Sequence, residues 1–580
     1  MAKPRNTFDV QLRHEGRWVI EAVEETELRA CKVADSLLAA STSDAVRVVR
    51  NWTRPDGLIA ETEVFCRTRV IRDQPWFKVG QIEQVPARCV AMNDYFAHDS
   101  RQTIGRLLRR YLDKIIVTPT ELIHSAGELR RLDDKFSLVR LAVDRVATLQ
   151  AGDQTGAVRL RRDELYQTID QIAARARAAD QLRLPELDGK VSDLIRVIEA
   201  GLDPDECDYR ALAVLSRQLL SLRSWMSKLE LLCRLAAEED DPHAIALLDG
   251  VITDVLGTDV VEDLFGRQPA LRTALCAMLD LADGTLASGR TGDDAITASL
   301  NRLLAVGKLP ASRRCLVERV HRRLRLPGPF QPRDTALEHD EFCKMADRLL
   351  TPSGLHSGAE TAEALTTRYG RMVERGGAAG RRDAIRGVLY AMPDRAGRLI
   401  YLCELARSNY AREHLADMAE LLDELTTGEA GIGQLCDRRL APRERMARAT
   451  VAWQAMAASP YPGYLKEQVA AHIDDILMRY LIDGKIIEKL DRPDTPLRDR
   501  AMHLMRFYGF GLLPKESRAF AAARKTVVSL LRQPDFEARF VAGITDPHMA
   551  QATLREFFAL LTGTGVLTGA GVKDGHLRSP

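Results

Sequence analysis

The alternation of apolar and polar residues predicts a small sheet module at the start of the chain. Residues 8–12 and 18–22 each carry apolar side chains at every second position, which is typical of half-buried strands. Glu15-Gly16 between them predicts a hairpin turn. From about Thr26 to residue 40 the apolar spacing becomes that of one helix face, with Thr26 as the N-cap.

Further extended segments complete this predicted module. Strands are predicted at about residues 45–52 and 59–71, and the turn between them contains Pro55-Asp56-Gly57, where proline fixes φ and glycine accepts a positive φ. Residues 77–85 could add an edge strand. The order predicts an α+β (ββαββ) module over residues 1–95, which either binds a peptide, partner or ligand or only caps the helical body.

After about residue 99 the apolar spacing is that of helices. Helix starts share one arrangement, a capping side chain followed by proline at the first helical position. The predicted caps are Thr118, Asp203, Asp241, Thr495 and Asp546. Glu121 and Glu206 stand three residues after the first two caps and predict capping boxes. The fold class is therefore mainly α, with the small module followed by a multi-helical array.

Two stretches keep a 3,4 spacing of apolar residues, and each is predicted to be one helix. The first runs from Leu129 to Val146 and the second from Leu212 to Cys233. A straight apolar seam of this kind suits coiled-coil packing. Packing within one chain is favoured by the short loops, and a homo-oligomer formed through residues 129–235 is the alternative.

Breaks between helices divide the chain into predicted segments. Pro327, Pro329 and Pro332 lie close together, which predicts a linker. No fixed repeat is found in the helical part, so the array is predicted to be an irregular bundle or a degenerate α-solenoid. The predicted segments are residues 1–95, the helical 96–240 with its seams, the helical 241–326, the linker 327–337, the array 338–562 and a flexible tail 563–580.

Composition narrows the class of protein without naming a function. The 580 residues include 83 Lys and Arg against 82 Asp and Glu, so the net charge of +1 gives no overall attraction to nucleic acid or anionic membranes. Ten separated cysteines fit free thiols in a reducing compartment. We expect no signal peptide, because the first residues lack an apolar stretch, and no membrane helix, because no sufficiently long apolar run occurs. We therefore expect a cytoplasmic protein with no membrane partner.

His339 and Asp340 are candidate metal ligands at a predicted helix start. An adjacent His-Asp pair in a helical protein is compatible with a metal-dependent phosphohydrolase, and His321 could supply a further ligand. Acidic residues in a first helical turn are also favoured by the helix dipole, with no metal involved. We predict no cofactor and keep the metal site as an alternative.

The densest basic segment of the chain is a predicted helix. It could bind the phosphates of nucleic acid. Leu316, Val320 and Leu324 nevertheless give it one apolar face, so a solvated basic face is the favoured interpretation. The basic residues are Arg313, Arg314, Arg322, Arg323 and Arg325.

The chain carries no catalytic motif that would identify a reaction. A P-loop, an H-E-x-x-H helix and a G-x-S-x-G turn are all absent from the sequence. We therefore expect a non-enzymatic interaction, scaffold or regulatory protein that binds protein partners through its helical surfaces and its sheet module. The alternatives are the phosphohydrolase around His339 and Asp340, and nucleic-acid binding through the helix from Arg313 to Arg325.

Overall fold

The computed structural model describes most of the chain. It covers residues 6–14, 17–40, 45–53, 59–68, 79–82, 85–152, 155–199, 202–266, 268–287, 294–331, 337–373, 377–410, 414–427, 431–564, 572–573 and 576–577. The turns predicted at Glu15-Gly16 and Pro55-Asp56-Gly57 and most of the predicted tail lie outside these residues. Contacts divide the chain into two compact units, residues 1–115 with 126–175, and residues 116–125 with 176–580.

The N-terminal module is a four-stranded antiparallel sheet with one helix packed on it. The sheet order is β2-β1-β3-β4, and alternate residues of β1 and β3 pack against the helix because successive strand side chains point to opposite faces. This confirms the predicted ββαββ order. The described part of the segment 77–85 contains no strand. The elements are β1 (Thr7–His14), β2 (Arg17–Glu24), α1 (Glu27–Ala40), β3 (Ala45–Thr53) and β4 (Ile59–Thr68).

The elements of the first unit that follow this module are helical. Backbone contact is close at Gly80, whose N–H donates to the Leu107 carbonyl at 2.9 Å. A Cβ at Gly80 would lie 2.0 Å from the Arg106 carbonyl oxygen, so only glycine fits there. The elements are a 3-10 turn (Met92–Tyr95), α2 (His98–Ile115), α4 (Ala126–Asp133), α5 (Phe136–Ala151) and α6 (Thr155–Gln181), of which α6 enters the second unit after Arg175.

The second unit is an array of helices and confirms the mainly α fold class, since 70% of the structure is helical. Its buried apolar residues form a cluster that extends from Val191 to Leu561. Its helices are α3 (Pro119–His124), α7 (Val191–Ile198), α8 (Pro204–Leu220), α9 (Trp225–Glu238), α10 (Pro242–Leu256), α11 (Val260–Phe265), α12 (Leu271–Ala282), α13 (Asp294–Ala305), α14 (Pro310–Arg325), α15 (Glu338–Leu349), α16 (Ala359–Met372), α17 (Gly377–Ala391), α18 (Arg395–Ala406), α19 (Leu415–Thr426), α20 (Ile432–Leu435), α21 (Pro442–Ala458), α22 (Gly463–Asp483), α23 (Ile486–Leu490), α24 (Leu497–Gly509), α25 (Arg518–Leu531), α26 (Phe536–Phe540) and α27 (Pro547–Gly563).

Two short strand pairs accompany these helices. The pair β5 and β6 follows α15 directly and is antiparallel, with Leu350 opposite Leu355. Such a two-residue hairpin is too short to be stable alone and depends on the helices around it. The pairs are β5 (Leu350–Thr351) with β6 (Gly354–Leu355), and β7 (Val572–Lys573) with β8 (His576–Leu577).

Each of the two 3,4 patterns crosses a helix boundary, so the prediction of two continuous helices is wrong. The first pattern is divided between α4 and α5, and the second between α8 and α9. Ser224 begins α9 because its hydroxyl accepts the Ser227 N–H at 3.0 Å, which competes with continuation of the preceding helix. The homo-oligomer through residues 129–235 stays a prediction.

Four of the five proline-associated caps are confirmed. The side chains of Thr118, Asp203, Asp241 and Asp546 each accept a backbone N–H of the helix that follows. The fifth prediction is off by one residue, since Pro496 and not Thr495 precedes the first residue of α24. Thr118 and Glu121 form the predicted capping box, whereas Glu206 accepts from Arg210 at 2.8 Å instead.

The proline-rich segment between α14 and α15 is fixed to the core. The Phe330 side chain in this segment is fully buried, and the Arg368 guanidinium lies 4.2 Å from its ring centroid. The Phe330 N–H donates to Glu338 at 2.7 Å, and its carbonyl accepts the Leu271 N–H at 3.0 Å. The described part of this segment therefore packs within the second unit.

Buried polar groups hold the short helix α3 in the second unit. The Lys228 ammonium on α9 donates to Glu121 Oε1 at 2.5 Å and to the Ile116 carbonyl at 2.6 Å. Both charged side chains are 0% exposed. Thr120 donates through its hydroxyl to Asp254 of α10 at 2.5 Å. A helix of 6 residues is not stable alone, so these bonds and the surrounding core keep it in place.

Candidate functional site

A polar pocket with a volume of about 630 Å³ lies beside the β5–β6 hairpin. Its walls come from four places in the second unit: the residue after α12, the first turn of α14, the end of α15 and the hairpin itself. We call it the hairpin pocket. Its ionisable lining residues are Asp283, Arg313, Asp347, Arg348 and His356.

The hairpin has a fixed conformation. Gly354 has a φ of +120°, a value that favours glycine, and this allows the tight turn between the two strands. The Thr351 hydroxyl donates to the Gly354 carbonyl at 2.7 Å. The His356 N–H donates to the Leu349 carbonyl at 2.9 Å, which sets His356 against the end of α15. The hydroxyls of Thr351 and Ser353 lie 3.0 Å apart on the same wall.

The carboxylate of Asp283 is the centre of the charged network. Its Oδ1 lies 3.1 Å from Arg313 Nη2 and 3.3 Å from His356 Nε2, and its Oδ2 accepts from Arg348 at 3.0 Å. Burial raises the pKa of the Asp283 carboxyl, but hydrogen bonds from His356 and Arg348 and the charge on His356 outweigh it and hold the pKa well below its ordinary value. Asp283 is therefore ionised and fixes the three basic side chains around it.

Arg313 has hydrogen-bond donors left for a ligand. Its Nη2 contacts Asp283 and lies 3.3 Å from His356 Nε2, while its side chain is 47% exposed. A guanidinium carries five N–H donors, and within the described residues its Nε and Nη1 form no hydrogen bond. The arrangement can therefore bind a carboxylate or phosphate oxygen through an arginine that is already oriented.

The geometry favours binding over acid–base chemistry. His356 is the histidine of the pocket, and it is 4% exposed. Its Nε2 lies between the Asp283 carboxylate and the Arg313 guanidinium, at 3.3 Å from each. A general base needs a free nitrogen within hydrogen-bond reach of the proton that it removes. Nε2 already contacts these two protein groups, so it is not free to accept a proton from a bound ligand.

The residues of the predicted metal site lie outside this pocket. His339 and Asp340 are both exposed on the first turn of α15, and Asp340 pairs with Lys344 at 2.6 Å. His321 is buried and lies 2.5 Å from the Thr361 hydroxyl. Among the residues that the structure describes, no group of three or more His, Cys, Asp or Glu side chains could hold a metal ion. The described residues therefore supply no set of ligands for the predicted metal site.

Arg313 is the member of the predicted basic patch that lines the hairpin pocket. Arg323 pairs with Glu262 of α11, and Arg325 lies 4.0 Å from Glu363 of α16. Both acids belong to helices that pack near α14, so these arginines serve contacts inside the array. The five predicted residues were Arg313, Arg314, Arg322, Arg323 and Arg325.

Arg319 lies on the same helix and was not singled out from the sequence. It is 8% exposed and donates through Nη1 to the Leu256 carbonyl at 3.2 Å and the Thr258 carbonyl at 2.6 Å. Leu256 is the last residue of α10 and Thr258 follows its C-cap, so Arg319 satisfies carbonyl groups at the end of this helix and just beyond it. The basic composition of α14 is thus explained in part by packing.

Comparison with known proteins does not identify a family. No protein-family model, no curated protein and no solved structure matches the chain. Across the described parts of the chain, no helix combines the length and the apolar character that crossing a membrane requires.

Proposed function

We propose that the chain is a non-enzymatic protein-interaction protein with a scaffold or regulatory role in the cytoplasm. Its second unit binds an acidic segment of a partner protein at the hairpin pocket. The observation that carries this proposal is Arg313, which is oriented by the Asp283 carboxylate and, among the described residues, keeps donors on Nε and Nη1 for a ligand. An oriented arginine loses less conformational freedom on binding than a mobile one.

The charge of the pocket favours a peptide over a simple anion. Asp347 also lines the pocket and is exposed, so its carboxylate repels an isolated anion. A partner segment with an acidic side chain for Arg313 and a neighbouring basic side chain for Asp347 satisfies both groups. The hydroxyls of Thr351 and Ser353 add hydrogen-bond partners for the peptide backbone.

The first experiment identifies the partner at this site. A photoreactive amino acid replaces Ser353, which is exposed beside the pocket, and the full chain is irradiated in the cell that produces it. We expect an adduct with a partner protein that disappears when Arg313→Ala is added. The matched control carries the photoreactive residue at Val306, which is 71% exposed. No adduct beyond that control would overturn the proposal.

The second experiment measures binding of the cross-linked partner segment as a synthetic peptide. Because a hydrogen bond to a charged group contributes about 1.5–3 kcal/mol, we expect Arg313→Ala to weaken binding by roughly 10-fold to 100-fold. Arg314→Ala is the matched control, since Arg314 is an exposed neighbour that does not line the pocket. Equal loss in both variants would contradict a site at Arg313.

The nucleic-acid hypothesis is tested separately. Phosphate contacts make binding strongly dependent on salt, so a shift assay is run at low and at physiological salt. The ion pairs of Arg323 and Arg325 with acids of neighbouring helices favour the absence of a complex at physiological salt. A complex that survives there and is lost in Arg314→Ala would favour nucleic-acid binding.

A further inference from the structure

A second pocket, with a volume of about 530 Å³, lies among α21, α22, α23 and α24. We call it the basic-rimmed pocket. Its surface is mostly apolar and includes Tyr480, Phe507 and Phe510. Phe510 is 48% exposed, so part of its ring is accessible to a ligand. The size lies within the range of about 300–1,000 Å³ that is typical of pockets for small ligands.

The turn between α22 and α23 shapes one side of this pocket. Lys485 has a φ of +47°, and the preceding Gly484 is in close contact with its surroundings. A Cβ at Gly484 would lie 2.8 Å from the Tyr480 carbonyl oxygen and 3.1 Å from Ile486 Cγ1. Glycine therefore permits the close turn that places α23, with Ile486 and Lys489, on the wall of the pocket.

Among the residues that the structure describes, four basic side chains and no acidic one line the pocket. They are Arg443, Lys489, His503 and Arg506. Within the described residues, no acidic side chain forms an ion pair with any of them. Neighbouring arginines do have such partners, since Arg500 pairs with Asp491 at 2.6 Å and Arg518 with Asp474 at 3.3 Å. Arg443, Lys489 and Arg506 therefore lack an ion-pair partner among the described residues, whereas Arg500 and Arg518 in the same part of the chain have one.

The charged end of Arg443 contacts the apolar wall of the pocket. Its guanidinium carbon lies 3.6 Å from the ring centroid of Phe510, a cation–π contact. The cation therefore lies against the apolar wall and not far out in solvent. A ligand that contacts Phe510 with an apolar body brings an attached negative group within reach of Arg443.

We propose that the basic-rimmed pocket binds a small amphiphilic anion, with an alkyl or aryl body on Phe507 and Phe510 and a carboxylate or phosphate headgroup among Arg443, Lys489 and Arg506. Apolar walls favour the body through burial of its surface, and uncompensated cations favour the headgroup. This site is separate from the hairpin pocket and does not depend on the function proposed there.

The test uses the full purified chain and four ligands with the same ten-carbon tail: decanoate, decyl phosphate, decanol and decyltrimethylammonium. Calorimetric titration below the micellar concentration gives affinity and stoichiometry. We expect one equivalent of decanoate or decyl phosphate to bind at least about tenfold more tightly than the cationic ligand. Equal binding of the cation would overturn the proposal, because it would show that the basic rim does not select the headgroup.

Variants locate the binding. We expect Lys489→Ala with Arg506→Ala to weaken binding of the anions by about tenfold or more, and Phe510→Ala to weaken all ligands with the same tail. Arg492→Ala is the matched control, since Arg492 is exposed but does not line the pocket. Circular dichroism confirms that each variant is folded. Full binding in the double variant would overturn the proposal.

A protein segment is the competing occupant of the basic-rimmed pocket. An acidic amphipathic peptide is therefore titrated beside the small anions. If the peptide binds and neither decanoate nor decyl phosphate does, the proposal of a small-molecule ligand is wrong. If the small anions bind and displace the peptide, the proposal is supported and the peptide is shown to use the same surface.

Discussion

Replacing Lys228 with methionine removes one partner of the fully buried ion pair that holds α3. Methionine has a similar volume and leaves no large cavity, so the main effect is an uncompensated carboxylate at Glu121. Breaking a buried pair in this way costs about 3–5 kcal/mol. The Ile116 carbonyl also loses its bond to the ammonium group, 2.6 Å long in the wild type. We therefore expect the free energy of unfolding to fall by an amount in the upper part of that range.

Urea unfolding and hydrogen exchange measure this loss. With an m-value of about 3 kcal/mol per M, the midpoint of the transition should fall by roughly 1 M or more in Lys228→Met. Hydrogen exchange of the backbone amides of α3 should become faster in this variant, because the contacts of Lys228 hold the helix in place. The double variant Lys228→Met with Glu121→Gln should recover more than half of the loss, because glutamine still accepts the Thr118 N–H and carries no charge.

The effect of pH gives an independent check on the cause. Burial raises the pKa of the Glu121 carboxyl in the wild type, against the opposing charge of Lys228. Without the lysine the folded-state pKa lies further above the unfolded value of about 4.3. A group with a raised folded pKa contributes stability below its unfolded pKa and loses it as pH rises through the folded pKa. The free energy of unfolding of Lys228→Met should therefore fall further below that of the double variant as the pH rises from 5 to 8.

The control is an exposed pair of the same type. Lys190 lies 2.7 Å from Asp240, and their side chains are 40% and 85% exposed. Lys190→Met should leave the midpoint unchanged, because solvent screens exposed pairs. If Lys228→Met with Glu121→Gln is no more stable than Lys228→Met, or if the deficit shrinks with rising pH, the unpaired charge is not the cause and the reasoning fails.

Three further predictions concern other parts of the chain. Arg319→Ala should lower stability by about 2–3 kcal/mol in thermal unfolding, because buried carbonyls lose a charged donor, whereas the exposed Arg314→Ala should change it little. Elemental analysis should find no stoichiometric metal in purified protein; metal that is lost on His339→Ala would instead favour the phosphohydrolase. Burial raises the pKa of the Cys233 thiol to about 12, so a thiol reagent at pH 8 should label the exposed Cys66 and leave Cys233 unmodified until the protein unfolds.

Local patterns in the sequence predict most of the fold, and their failures have a physical cause. Period-two alternation identifies the strands of the N-terminal module, and side chains before proline identify four helix starts, because both signals act over a few residues. The break before α9 was missed since the apolar spacing continues across it. The Ser224-x-x-Ser227 capping arrangement marks this break, but a single polar cap is a weaker signal than an apolar spacing that continues across it.

The hairpin pocket was not predictable in the same way. Asp283 and His356 are 73 residues apart, and Arg313 stands between them in sequence. Helical periodicity indicates which face of a helix is apolar, but not which helices bring their polar ends together. Gly354 and Gly358 on either side of His356 do signal a tight, irregular turn, and a polar residue between two such glycines is the one sequence signal for this part of the pocket.

The two pockets should respond differently to salt, because their charges are compensated differently. At the hairpin pocket, Arg313 already faces the Asp283 carboxylate, so an incoming anion gains little long-range attraction. At the basic-rimmed pocket, Arg443, Lys489 and Arg506 attract an anion, and none of the described lining residues is acidic and opposes them. Raising the ionic strength from about 0.01 M to 0.5 M shortens the Debye length from about 30 Å to a few Å. Affinity for decanoate should therefore fall steeply while affinity for the partner peptide falls little, as titration at both salt concentrations would measure. Equal salt dependence at the two sites would show that the rim cations are compensated in solution, and the charge argument for the basic-rimmed pocket would then be wrong.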